Sequence, residues 1–201
     1  MRTNARLFAT PLRVPLLILL LLMIAGSAGA TDYYVSATGR DSNAGSSPSD
    51  AWQTVQRVNN AHYGPGDRIL FEGGRTFSGN LYFDSTDAGT PAAPVTVGSY
   101  GTGRATIYAA DGDGILVYNA GGFVVRDLYI IGSGATTNAG DGIFFFTDLA
   151  GGVKLPYVRI DHVDASRFGD YGILIGSNSG TTGYRDVRIS YTVAADNQMG
   201  G

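Results

Sequence analysis

A chain of 201 residues with a formal net charge of −3, thirty glycines and no cysteine cannot be stapled by disulfides, so its stability must come from a buried core. Lys154 is the only lysine, and a lysine-poor, acidic surface argues against a nucleic-acid partner, whose phosphates are bound by neutralising Lys and Arg side chains.

Residues 1–30 read as a secretory signal peptide. Arg2, Arg6 and Arg13 form a basic start, Leu16 to Ala25 is apolar, and Ala28-Gly29-Ala30 supplies a small-x-small cleavage site. The apolar run of about ten residues is well short of the roughly 20 that a membrane-spanning helix needs. Cleavage after Ala30 is therefore expected, with a secreted or periplasmic location and no membrane attachment afterwards. It removes three arginines and no acids, taking the net charge from −3 to −6.

Residues 31–66 predict a short strand at Tyr33-Tyr34-Val35, a polar turn, and a helix from Asp50 to His62. Asp50 stands as N-cap with Gln53 three residues on, an Asp form of the capping box. Trp52, Val55 and Val58 recur every third residue, as one stripe of an amphipathic helix does. Gly64-Pro65-Gly66 stops it.

Residues 67–201 predict only short β-branched and aromatic strands between Gly/Asp/Asn/Ser turns, an all-β pattern. These strands repeat. Asp113-Gly114-Ile115, Asp141-Gly142-Ile143 and Tyr171-Gly172-Ile173 align with Gly-to-Gly spacings of 28 and 30. Phe123-Val124-Val125, Val158-Arg159-Ile160 and Val187-Arg188-Ile189 recur in step, with a loop insertion at Leu149 to Leu155. Two strand families sharing one period predict a solenoid, in which each unit buries its apolar face only against the next. Gly201 falls where another Gly-Ile is due, so the sequence is expected to be an N-terminal fragment with its coils incomplete at the C-terminus.

Tyr33-Tyr34-Val35-Ser36, Gly39 to Gly45, Ala51-Trp52-Gln53-Thr54 and Gly64-Pro65-Gly66-Asp67, extended by Phe71-Glu72-Gly73-Gly74 and Ala93 to Val97, carry a family likeness. The segment resembles secreted bacterial right-handed parallel β-helix proteins of the pectate-lyase-like superfamily, nearest to the branch with family 9 polysaccharide lyases. The resemblance implies three parallel sheets per turn, the Trp52 helix as an N-terminal plug, and a glycan groove on an outer face. It also implies calcium held by aspartates and a Lys or Arg base, although no position here matches those catalytic residues one for one.

Stacked coils make aligned residues vertical neighbours about 4.8 Å apart, which nominates three constellations. Asp113 and Asp141, with Asp111 and Asp170 nearby, form a candidate Ca2+ ladder, although Asp-Gly is also ordinary turn chemistry. Arg159 and Arg188 align outward and are candidate catalytic groups, as a uronate clamp or the base of a β-elimination, against the alternative of solvated surface arginines. Leu116, Phe144 and Leu174, joined by Tyr118 and Phe146, form an outward apolar row suited to sugar faces. Asn119, Thr147 and Ser177 align as a hydrogen-bonding ladder, and Arg126 aligns with Asp161 as a cross-strand pair. The expectation is a lyase acting on an acidic polysaccharide; a non-catalytic carbohydrate-binding protein, and a glycoside hydrolase or epimerase on the same scaffold, stand as alternatives.

Overall fold

A computed structural model describes residues 29–200, so the expected leader lies outside the described residues except for its last two. The fold is all-β. Its strands in chain order are β1 (Asp32–Val35), β2 (Arg68–Glu72), β3 (Thr76–Ser78), β4 (Leu81–Phe83), β5 (Val95–Tyr100) and β6 (Ala105–Ala110). There follow β7 (Ile115–Tyr118), β8 (Phe123–Gly132), β9 (Ile143–Thr147), β10 (Lys154–Ser166), β11 (Ile173–Ser177), β12 (Gly183–Ser190) and β13 (Val193–Ala195).

Every ladder among the described residues is parallel. The first sheet runs β1-β2-β5-β8-β10-β12, with β3, β6 and β13 joined alongside; the second runs β4-β7-β9-β11. The first sheet is bent. Val124 and Val125 of β8 pair with β5, whereas Leu128 to Ile131 of the same strand pair with β6. β10 divides likewise between β12 and β13. The bend falls on Asp127, His162 and Tyr191, with φ of 55°, 53° and 50°. Left-handed backbone is unfavourable for His and Tyr, by about 1–2 kcal/mol each, so the stacking around them must hold it in place. The His162 and Tyr191 rings lie face to face at 4.9 Å, one directly above the other in sequence register.

The two repeat families are the two sheets. Leu81, Ile115, Ile143 and Ile173 form one column, and Ile69, Val97, Val125, Ile160 and Ile189 another. Period-2 alternation sends these side chains inward, where Ile115, Val125, Ile143 and Ile160 are fully buried. Ile189 is 49 % exposed on the last strand of its column.

The N-terminal region departs from the helix expected over 50–62. The helix is α1 (Val55–Asn59), capped by the Thr54 hydroxyl accepting from the Arg57 amide at 3.1 Å, while Pro48–Asp50 forms a separate 3₁₀ turn. Asp41 sets this boundary, accepting from the amides of Gln53 and Thr54 and so leaving no helical continuation through Gln53. Trp52 is therefore not a helical residue. It bridges to Val35 in extended backbone and is buried, its ring stacked on Tyr33 at 5.0 Å and covered by Arg57.

The Gly-Ile glycines are required by close approach, not by turn geometry. A Cβ on Gly142 would lie 2.3 Å from the Gly172 carbonyl oxygen and 2.9 Å from Ala165 Cβ, and one on Gly114 would lie 2.3 Å from Ile130. Backbone cannot yield there without shearing the ladder. Gly142→Ala is expected to lower unfolding stability by about 2–3 kcal/mol, overpacking of a fixed core being the cause. Urea unfolding followed by circular dichroism checks this, and an unchanged midpoint would show that the repeats do not pack so tightly.

Candidate functional site

The second sheet offers its outward face. Because Ile115, Val117, Ile143 and Phe145 point in, Tyr82, Leu116, Phe144 and Leu174 stack in one outward column, and Tyr118 and Phe146 in the next. Leu116, Tyr118, Phe144, Phe146 and Leu174 are half-buried and Tyr82 is 43 % exposed. The Tyr118 and Phe146 rings are parallel at 6.1 Å, and Phe144 lies 5.2 Å from Phe146.

Its edge is polar. The Tyr118 hydroxyl donates to Asp148, and Asn119 Nδ2 donates to the other Asp148 oxygen at 2.8 Å. These two donors hold the Asp148 carboxyl below its ordinary range, Tyr118 contributing most. Such a carboxylate accepts hydrogen bonds from hydroxyls and is poorly suited to give up a proton. Asp148 escaped the sequence reading because it begins a turn with no aligned partner. The expected Asn119–Thr147 contact is present, Thr147 donating to Asn119 Oδ1 at 2.9 Å, but Ser177 instead donates to the Ser179 and Thr182 carbonyls.

The aspartates of the proposed calcium ladder stack as expected and are used differently. Asp113 Oδ1 accepts the Asp141 amide at 2.8 Å, and Asp141 Oδ1 accepts the Tyr171 amide at 2.8 Å. Asp111 likewise accepts the Ala139 amide. Each carboxylate thus ties one repeat to the next. Asp170 is exposed, and among the described residues no three acidic, His or Cys side chains converge to hold a metal. Asn138, missed in the sequence, completes the tie: buried, it donates to the Gly112 carbonyl and accepts from the Gly140 amide.

The arginines occupy the outward face of the first sheet. Arg159 and Arg188 are in register, but Arg159 is engaged, donating to Asp186 Oδ1 at 2.7 Å and lying 4.0 Å over the Tyr157 ring. Arg126 is in register with Asp161 yet does not pair with it: Asp161 takes hydrogen bonds from Ser190 and His162, while Arg126 sits 3.9 Å from Asp127. Lys154 donates to the Thr182 carbonyl. The Arg159 guanidinium is thus engaged on both its carboxylate and its aromatic partner.

No family model matches the chain. A lacto-N-biosidase of Bifidobacterium longum is 39 % identical over 77 residues, 37 % of this chain and 5 % of that protein. Two crystal structures of the GH136 lacto-N-biosidase from Eubacterium ramulus, a selenomethionine derivative and the native protein, superpose with TM-scores of 0.63 and 0.61 at 18 % identity. They match 80 % of this chain, which spans 34 % of theirs. At that identity the superposition speaks for the fold alone. These relatives are glycoside hydrolases, which corrects the sequence-based resemblance to family 9 polysaccharide lyases and the pectate-lyase-like label with it. The β-elimination reading falls for the same reason, and the engaged state of Arg159 agrees with its loss.

Burial pushes the Asp141 carboxyl up from 3.8 to about 6; Asp113 and Asp170 add to this and the Tyr171 amide opposes it. The native form therefore holds this proton to higher pH than the unfolded chain does. The associated stability is fully present below about pH 4 and is lost as pH rises through 6. Asp141→Asn keeps the acceptor for Tyr171 and removes the charge, so it should stabilise the fold at pH 7 by on the order of 1–2 kcal/mol and flatten the change between pH 4 and 6. Thermal melts of both proteins across that range, with and without calcium, check it. A variant less stable at pH 7, together with a calcium-dependent gain in the parent, would instead favour calcium held by these aspartates.

Proposed function

We infer that this chain is the glycan-engaging part of a secreted or periplasmic glycoside hydrolase of the lacto-N-biosidase kind, built as a right-handed parallel β-helix. Residues 31–66 cap its N-terminal end and residues 67–200 supply the coils. The single observation that carries the activity class is the 39 % identity to a lacto-N-biosidase over 77 residues. The solenoid reading is supported by parallel registers at every repeat and by superposition on the lacto-N-biosidase structures.

The substrate class follows from the outward row of the second sheet. Flat aromatic and branched side chains in vertical register present a surface about as wide as a sugar ring, because strands repeat every 4.8 Å or so. Pyranose C–H faces stack on such rings, and Asp148 beside Tyr118 and Asn119 supplies an acceptor for the ring hydroxyls. Hydrolysis of a glycosidic bond ordinarily needs two carboxyls, one of them holding a proton. Asp84 and Asp148, the acids bordering this row, are both held below their ordinary range, Asp84 mainly by the Thr86 amide. The row is assigned a binding role.

Titration of the full chain with lacto-N-biose, followed by NMR, is expected to shift resonances of Tyr118, Asn119 and Phe146. Tyr118→Ala should weaken the apparent Kd about five- to tenfold, the worth of one stacked ring and its hydrogen bond. Shifts confined to other faces, or equal affinity in the variant, would remove the row from the glycan site.

A further inference from the structure

The first sheet carries a cleft on its outer face, of about 380 Å³, lined by Arg126, Arg159 and Arg188 together with Tyr157 and Tyr191. Register explains their convergence. Val124, Arg159 and Arg188 form one outward column, and Arg126, Asp161 and Ser190 the next. Three guanidiniums on adjoining strands repel one another unless anions compensate them, and the compensation is uneven. Arg159 is satisfied by Asp186 and the Tyr157 face. Arg126 has only Asp127 at 3.9 Å. Arg188 has no carboxylate within 4 Å among the described residues. Asp161, the acid inside the cleft, accepts from the Ser190 hydroxyl at 2.6 Å and His162 Nδ1 at 2.9 Å and stays an anion, held below its ordinary range mainly by Ser190 with a smaller pull from Arg188, so that it compensates the cleft only in part.

Two aromatic rings also line the cleft. Tyr157 is held under the Arg159 guanidinium, and Tyr191 stacks on His162 at the left-handed bend. Partly compensated guanidiniums between two aromatic rings match the chemistry of a sugar ring that bears a negative group. The guanidinium fork takes two oxygens of a carboxylate or sulfate at once.

We propose that this cleft is a second carbohydrate subsite, which takes an anionic sugar group, a uronate carboxylate or a sulfate ester, on Arg188 and Arg126. It rests on the reading of the chain as glycan-engaging and puts acidic units on a different face from the aromatic row. Arg159 serves as a fixed positive wall.

Affinity electrophoresis of the full chain tests it, in gels holding polygalacturonate, dextran sulfate or neutral dextran. A protein of net charge −3 is repelled by polyanions unless it has a local site, so retardation in either acidic gel exceeding that in dextran, where only the aromatic row can act, is expected. Retardation in polygalacturonate alone assigns the carboxylate, and in dextran sulfate alone the sulfate. Arg126→Gln/Arg188→Gln should weaken retention at least about tenfold, and added salt should weaken it further. Should the double variant melt early, Arg188→Lys decides the matter: it keeps the charge but loses the fork, and about threefold weaker retention is expected. Undiminished retention in a stably folded double variant, or none in either acidic gel, overturns the subsite. If lacto-N-biose still shifts the aromatic row in that case, the glycan reading survives alone; if it does not, both fall.

Discussion

In-register pairing of each parallel strand with the one a repeat earlier is the constraint on which every surface of this molecule depends. Once Ile143 lies between Ile115 and Ile173, Phe144 must lie between Leu116 and Leu174, and the outward rows follow without further choice. The glycines at 114, 142 and 172 permit this spacing because a Cβ at any of them would meet the neighbouring repeat. The aspartates at 113 and 141 and the buried Asn138 then lock it by bonding side chain to backbone between repeats.

That constraint gives the two faces different chemistry at no extra structural cost. The second sheet repeats apolar and aromatic residues outward and ends at a carboxylate held ionised by a tyrosine and an asparagine. The first sheet repeats arginine, and its bends at Asp127, His162 and Tyr191 place aromatic and acidic groups beside them. One face is therefore apolar and aromatic and the other cationic, the contrast on which the two proposed glycan surfaces rest. Within the first sheet, Arg104 reaches across strands, making a paired contact with Asp164 at 2.9 and 3.1 Å while covering the Tyr129 ring.

Much of this was legible from residue order because a period near 29 is a long-range contact written locally. Aligning Gly114, Gly142 and Gly172 was enough to place Ile115 over Ile143 and Arg159 beside Arg188. What resisted were features that the period does not encode. The bend at His162 carries no glycine or asparagine signal, since stacking on Tyr191 and not local preference holds its backbone. The Arg159–Asp186 pair joins different positions of successive repeats, so alignment pointed to Arg188 instead. The helix was drawn too long because Trp52 fitted its stripe, whereas Asp41, remote in sequence, ends the extended backbone at Thr54. The activity class has a related explanation: the residues carrying the likeness build the N-terminal coils, and none of them belongs to the aromatic row or lines the arginine cleft.

Vertical stacking can be measured directly because the chain has no cysteine of its own. Spin labels on Tyr82→Cys and Leu174→Cys, at the two ends of one outward column, report the height of the stack by pulsed electron paramagnetic resonance. Three strand spacings predict Cα atoms about 14 Å apart and a single narrow distance distribution, whereas a separation beyond about 25 Å, or a broad spread, would contradict the columns on which both ligand surfaces are built.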